Sequence, residues 1–330
     1  MSDATSTTVP AAGDLAAKYA SGIRGKTVLT TGASPASIGG FFLQAIAAHE
    51  PALLILAGRS DEKLAATAAA IAATHPTVQT RRLKIDLSSL KDVRRAAAEL
   101  LSWDDVPVVD VLVNNAGIMA TPYARSEEGV ESQMATNHLS HFLFANLIMS
   151  KLLKSASPRV VSVTSTGHRM GPIRWDDLNF DNGETYNKWY AYGQSKTANM
   201  LFAISLAEKL GRRGLQAYSV HPGVILGTGL GVHLDLSDDG DLPQLNKLDR
   251  MLGNAEGWQS LNLITQEQGA ATHVFAAFDN DLKEYNGAYL LECRRADPFI
   301  DTVKVWATSS SEAERLWKLS EKLVGQEFAY

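Results

Sequence analysis

Hydrophobic residues fall along the chain in two alternating rhythms. Short runs rich in aliphatic and β-branched side chains occupy residues 26–32 (KTVLTTG), 53–60 (LLILAGRS), 80–87 (TRRLKIDL), 109–117 (VDVLVNNAG), 159–165 (RVVSVTS), 215–223 (LQAYSVHPG) and 287–292 (GAYLLE). Helical patterns separate them: residues 61–73 are almost continuous helix formers, and residues 190–210 keep one apolar face. Seven strands alternating with helices predict a doubly wound α/β fold on a parallel seven-stranded sheet. Right-handed crossovers bring the C-terminal ends of the strands, and with them the ligand, to one edge.

The rhythm breaks at both a terminus and an insertion. Residues 1–20 are rich in Ala, Ser and Thr, lack an apolar run of signal-peptide length and carry Asp3 and Asp14, so they are expected to form a flexible leader ahead of one domain at 21–330. Residues 224–266 are long for a connection and read as a substrate lid rather than a second domain. Leu226, Leu230, Leu234, Leu236, Leu245, Leu248, Met251, Leu252 and Trp258 give this segment more apolar surface than a solvated loop needs, while Asp235, Asp238, Asp239 and Asp241 keep one side wet. A helical flap packed permanently on the core is the alternative.

Composition removes several classes of function. A net charge of −5 with both signs interspersed leaves no basic stripe for nucleic acid or anionic lipid. The single cysteine, Cys293, excludes an intrachain disulfide and four-cysteine zinc sites, and fits a reducing, cytoplasmic setting. No run of about eighteen apolar residues is present, so no membrane span is expected.

The first strand runs into Thr31-Gly32-Ala33-Ser34-Pro35-Ala36-Ser37-Ile38-Gly39-Gly40, ahead of a helix beginning near Phe41. Such a turn aims backbone N–H groups and a helix N-terminus at a pyrophosphate. Gly32, Ser34, Ser37, Ile38 and Gly39 are the candidate contacts, with the Ser34 and Ser37 hydroxyls as added donors. Where NAD sites place a carboxylate against the ribose 2′-OH, the second strand ends in Arg59. A guanidinium there forks onto a 2′-phosphate, which favours NADP(H); the alternative leaves Arg59 solvated and gives the ribose to Asp61.

Of nine tyrosines, Tyr192 alone has a lysine four residues on, Lys196, which puts phenol and ammonium on one helix face. The neighbouring cation, helped by the positive charge of an oxidised nicotinamide, is expected to pull the phenol down from about 10 towards working pH. Ser165 ends a strand where its hydroxyl can meet a substrate oxygen; alternation turns Thr164 the other way. His138 and His141 share a helix, but no third ligand motif accompanies them and no metal is expected.

In this order, the glycine-bearing turn, Asp86-Leu87, Asn114-Asn115-Ala116-Gly117, Asn137 in TNHL, Ser165, Tyr192-x-x-x-Lys196 and Pro222-Gly223 resemble the short-chain dehydrogenase/reductase family over roughly residues 26–299. GAATHVFAAF and YLLECRRADP are similar to its retinol-dehydrogenase-like subgroup. The resemblance implies a Rossmann-like fold, with Asp86 and Leu87 at the adenine, and Asn115, Ala116 and Gly117 at the adenosine ribose. The asparagine pair can equally lock neighbouring strands by hydrogen bonds. It further implies that Asn137 holds a water linking Lys196 to solvent, Ser165 steadies a carbonyl, and Tyr192 delivers the proton. Pro222 and Gly223 would flank the nicotinamide, and Thr228 would bind its carboxamide or the phosphates. The turn is one residue longer than the family's, with Ala36 or Ser37 at the middle glycine. The expected activity is hydride transfer between NADP(H) and a carbonyl/alcohol pair on an apolar small molecule, as in a carbonyl reductase. Imine reduction, isomerisation or epimerisation on the same fold, and a silent dinucleotide-sensing protein, are the alternatives. Helices at 127–153 and 190–210 resemble those that pair relatives into homodimers; a C-terminal helix covering them would leave a monomer.

Overall fold

A computed structural model describes residues 9–235, 237, 239–254 and 262–330. Leu236, Asp238 and Trp258 of the expected lid lie outside the described residues. Strands β1 (Thr27–Thr31), β2 (Leu53–Gly58), β3 (Thr80–Lys84), β4 (Val111–Asn114), β5 (Arg159–Val163), β6 (Gln216–His221) and β7 (Tyr289–Leu291) pair in parallel in the order β3-β2-β1-β4-β5-β6-β7. The order reverses direction beside β1, the point at which a doubly wound sheet opens a ligand crevice. One correction to the expected sheet is β8 (Arg294–Arg295), a two-residue antiparallel edge strand on β7. The left-handed pair Glu292 and Cys293 makes that tight return.

Helices fill both faces. The N-terminal half contributes α1 (Ala12–Lys18), α2 (Ala20–Ile23), α3 (Ile38–Ala47), α4 (Asp61–Thr74), α5 (Leu90–Leu101), α6 (Ser132–Met134), α7 (Ser140–Leu147) and α8 (Met149–Leu152). The rest contributes α9 (Lys188–Leu210), α10 (Asp241–Met251), α11 (Gln266–Phe278) and α12 (Ser310–Val324). Side-chain oxygens start many of them: Ser37, Ser60, Ser89, Asn187 and Ser309 accept first-turn N–H bonds, and Thr265 with Gln268 forms a capping box. Strand alternation divides the core in two. Leu29, Leu112, Val160 and Ala217 pack towards α5, α7, α9 and α12, whereas Val28, Val111, Val161 and Tyr218 face α1, α3 and α11.

Both ends of the chain bear on expectations, and the one about the N-terminus is revised. The flexible leader cannot extend to residue 20, because Ala12 and Ala16 of α1 are fully buried and the Tyr19 hydroxyl donates to Asp279 at 2.5 Å. Small side chains at 12 and 16 lie one turn apart and let the helix sit close on α11. At the other end, α12 covers the surface of α7 and α9: Trp317 packs edge-on against Phe142 with centroids 4.9 Å apart, and Ser205 Oγ donates to the Ala313 carbonyl. A homodimer through α7 and α9 would first have to displace α12.

Candidate active site

The turn after β1 is built from close backbone approaches. Gly32 has φ +70°, and a Cβ on it would stand 2.9 Å from Ala116 Cα; a Cβ on Gly39 would stand 2.6 Å from Asn115 Nδ2. Glycine is therefore required at both positions. Ser37 departs from the role expected of it. Its hydroxyl is shared between the Gly32 and Ser34 carbonyls at 2.6 and 2.7 Å, it accepts from Gly40 N at 3.0 Å, and its own N–H goes to Ser34. The extra residue of the turn thus gives Ser37 the job of closing the loop and capping α3, not of meeting a phosphate. The N–H groups of Ile38 and Gly39, the first two of α3, are the ones an intrahelical ladder leaves open, and Ser34 is half-buried beside them.

Asn115 is the latch of this region. Its Nδ2 donates to the Thr31 and Gly32 carbonyls at 2.9 and 3.2 Å, and Thr31 Oγ1 accepts from the Asn115 and Ala116 N–H groups at 3.0 Å each. Asn114 takes no part in this latch, and its buried amide has no hydrogen-bond partner among the described residues. Arg59 is exposed and makes no ion pair among the described residues, whereas Asp61 is held by Arg82 at 2.7 Å. Asp61 is thereby committed elsewhere, and the cation is the side chain left facing solvent at the end of β2. Asp86 lies two residues beyond β3, where its Oδ1 caps Ser88; Leu87 is buried and its carbonyl accepts from Ser140 Oγ. The glycine cradle and the two open N–H groups fit the pyrophosphate of a dinucleotide.

The reacting side sits where β4 and β5 end. Asn137 lies in a π-helical turn, Ala135–Leu139, of a kind that often marks functional sites. Its Oδ1 accepts Ile118 N–H at 2.8 Å, and its Nδ2 donates to the Ile118 carbonyl and Ser195 Oγ, both at 2.9 Å. The expected water link to Lys196 has only the second lone pair of Oδ1 open to it. Gly117 fits between: a Cβ there would be 3.0 Å from Asn137 Oδ1 and 3.5 Å from Lys196 Nζ.

Ser165 and Tyr192 are brought together by two glycines. Residues Thr166–Met170 form a 3₁₀ turn after Ser165, whose Oγ accepts from Gly167 N at 3.0 Å. A Cβ on Gly167 would lie 2.8 Å from the Tyr192 ring, and one on Gly193 would lie 2.7 Å from Met170 Cβ. Thr197 Oγ1 ties α9 to the carbonyls of His168 and Gly171, and Thr164, turned away as alternation requires, bonds the Lys196 carbonyl. Sequence reasoning missed these supporting residues; Gly193, a poor helix former beside Tyr192, was the available signal. Nothing in the sequence marked the π turn.

Burial governs the charges. It pushes the Tyr192 phenol up to about 12, against a hydrogen bond from Ser165 that favours the phenolate, and it lowers the Lys196 ammonium to about 8. Burial outweighs the lowering expected from the lysine neighbour, because both groups are buried and each neutral form gains. Lys196 Nζ lies 5.4 Å from the ring centroid and donates to the Val163 carbonyl at 3.1 Å. His138 and His141 serve the core, bonding Ser320 Oγ at 2.8 Å and Thr31 Oγ1 at 2.9 Å. No group of three metal-ligating side chains gathers among the described residues.

A family model described as short chain dehydrogenase matches residues 26–177. Retinol dehydrogenase 14 of Mus musculus is 36% identical over 242 residues, which span 73% of this chain and 66% of that relative. Retinol dehydrogenase 12 of Mus musculus is 33% identical over 305 residues, 92% of this chain and 87% of that relative. The chain belongs to the short-chain dehydrogenase family. A crystal structure of an uncharacterized protein from Mycobacterium paratuberculosis superposes with a TM-score of 0.68 at 30% identity, covering 93% of this chain and 96% of that one. The chain has the Rossmann-like fold of this family, whose members are oxidoreductases that use a nicotinamide dinucleotide.

The Pro222-Gly223 turn follows β6. Gly223 has φ +96°, and a Cβ on it would meet Ile264 Cδ1 at 2.4 Å. Thr228 lies farther along, where its Oγ1 accepts Leu230 N–H at 3.5 Å within a local turn. Beyond it, Leu245 is buried in a small cluster with Ala120, Met170 and Trp189, joined by Met119, Leu234, Leu242 and Leu248. α10 thus lays an apolar underside against the segments next to Ser165 and Tyr192. Asp241 is not on the wet side as expected but points inward to Lys188, while Asp235 and Asp239 are exposed.

Proposed function

We propose that the protein is an NADP(H)-dependent carbonyl reductase, converting a ketone or aldehyde on an apolar small molecule to the alcohol. The observation that carries this reading is the convergence of Ser165, Tyr192 and Lys196 at one sheet edge beneath a leucine-lined flap. When bound, the dinucleotide supplies the hydride. Tyr192 keeps its proton at neutral pH because burial holds it near 12, which is the state needed to protonate a carbonyl oxygen. Ser165, fixed by Gly167 N–H, orients that oxygen. Lys196, lowered to about 8, stays mainly cationic at pH 7 and holds the nicotinamide ribose. Arg59 supplies the preference for a 2′-phosphate.

The 224–266 segment acts as the substrate lid, with Leu234, Leu242, Leu245 and Leu248 excluding water from hydride transfer. The relatives named retinol dehydrogenases support an apolar alcohol/carbonyl pair. A cytoplasmic location belongs to the same reading, on the single cysteine. The test is a panel of aldehydes and ketones of graded size, assayed with NADPH and NADH side by side. Turnover of apolar carbonyls with NADPH preferred is expected. Absence of turnover, or a preference for NADH, overturns it.

A further inference from the structure

The flap helix is tied to the reacting segments at both ends, and the two ties differ. At its C-terminal end, Asp249 is fully buried and accepts a fork from Arg169: Nε to Oδ1 at 3.1 Å and Nη2 to Oδ2 at 2.6 Å. Asn254 Nδ2 adds a third donor to Oδ1 at 2.7 Å. At its N-terminal end, Asp241 pairs with Lys188, whose side chain is 29% exposed. Arg169 stands four residues after Ser165, and Lys188 four residues before Tyr192. The two aspartates share the inward face with Leu245 and Leu248, an i, i+4, i+7, i+8 set.

A buried ion pair adds little net stability over apolar residues of the same shape, because desolvation offsets the attraction. What a bidentate guanidinium–carboxylate pair supplies is geometry. Arg169 is well placed to transmit it. Its turn is clamped to α9 through Gly167, Gly193 and Thr197, and His168 next to it accepts Lys304 N–H at 3.4 Å.

We propose that Arg169 is a positioning residue: through its fork onto Asp249 it registers α10 over the turn that follows Ser165, so that lid closure and the placement of Ser165 are one event. The proposal rests on the lid reading above. Its consequence is that substrate grip depends on a pair that touches neither substrate nor dinucleotide. The Lys188–Asp241 tie is secondary, as a partly solvated pair is weak.

The experiment compares Asp249→Asn, Arg169→Lys and Asp241→Asn with the unaltered protein by amide hydrogen exchange without ligand. Asp249→Asn is expected to speed exchange at least tenfold both in 241–251 and in 166–171, leaving β1 and β4 unchanged. Arg169→Lys keeps the charge without the fork and should fall between, and Asp241→Asn should act on α10 alone. Activity gives an independent arm: with decanal, Asp249→Asn should raise KM about tenfold with a smaller change in kcat, while the NADPH dissociation constant stays within twofold. Faster exchange in α10 with 166–171 unchanged, or uniformly faster exchange including the sheet, overturns the proposal. If the unaltered protein reduces no aldehyde, the carbonyl-reductase reading fails, while the exchange arm still decides the role of Arg169.

Discussion

The glycine-lined turn beside β1 and β4 and the flap packed beside Ser165 and Tyr192 are built on opposite principles. Around β1 and β4 the geometry is backbone against backbone: Gly32 and Gly39 admit no Cβ, and Asn115 stitches the two strand ends together with no charge involved. The flap is held by side chains, with one small leucine cluster and two ion pairs, while Leu226, Val232, Met251 and Leu263 remain exposed. Backbone packing cannot relax by rotamer changes, whereas side-chain ties can be exchanged singly. The glycine-lined half is therefore rigid, and the flap held by side chains is separable.

The largest perturbation should erase this contrast by unfolding both halves. His138, His141, His168, His221 and His273 are held by burial at about 3, 4, 4, 3 and 4. As pH falls below 6.5 the unfolded chain takes up protons that the native state refuses, so stability present above 6.5 is lost on the way down to those values. Each histidine contributes up to about 1.4 kcal/mol per pH unit in that window. Acid unfolding followed by circular dichroism should centre near pH 5; a protein unchanged at pH 4 would contradict the burial argument.

Next in size, Tyr192→Phe should lower turnover by about 10²–10⁴-fold, since the proton is needed only in the transition state, with NADPH affinity within twofold. Near-normal kcat would remove Tyr192 from the reaction. Gly39→Ala tests the rigid half: overpacking against Asn115 should cost about 1–3 kcal/mol and weaken dinucleotide binding with it, read by thermal melts and titration. Arg59→Asp should leave stability alone and shift preference from NADPH towards NADH by roughly 10–100-fold, a charge-assisted contact becoming a repulsion. The most local effect is expected from Leu245→Ala. A cavity in the flap should appear as faster local exchange in 241–251 with little change in melting temperature, because the flap opens without the sheet. A melting shift as large as that of Gly39→Ala would show that the flap is part of the core.

Much of this was readable in the chain. β1 to β7 were signalled by apolar runs bounded by turn residues, and α4 and α9 by their helix formers, since strand and helix periods survive any tertiary context. Tyr192, Lys196 and Ser165 were legible from one spacing and one strand end. The roles of Ser37 and Asn114 were not, because a hydroxyl or amide reads the same whether it faces a ligand, a carbonyl or nothing. Buried α1 looked like a leader for a similar reason: alanines do not announce what they pack against.

What the sequence determined by itself is the local order: which segments are strands and helices, and which chemistry stands at each strand end. Tertiary structure decided everything that depends on distance and dielectric. It turned Asp241 and Asp249 inward, placed Gly167 under the Tyr192 ring, and moved both the phenol and the ammonium towards their neutral forms. Residue type fixes what a group can donate or accept, but whether burial or a neighbouring charge governs it depends on residues far apart in sequence, which only the folded chain brings within a few ångströms.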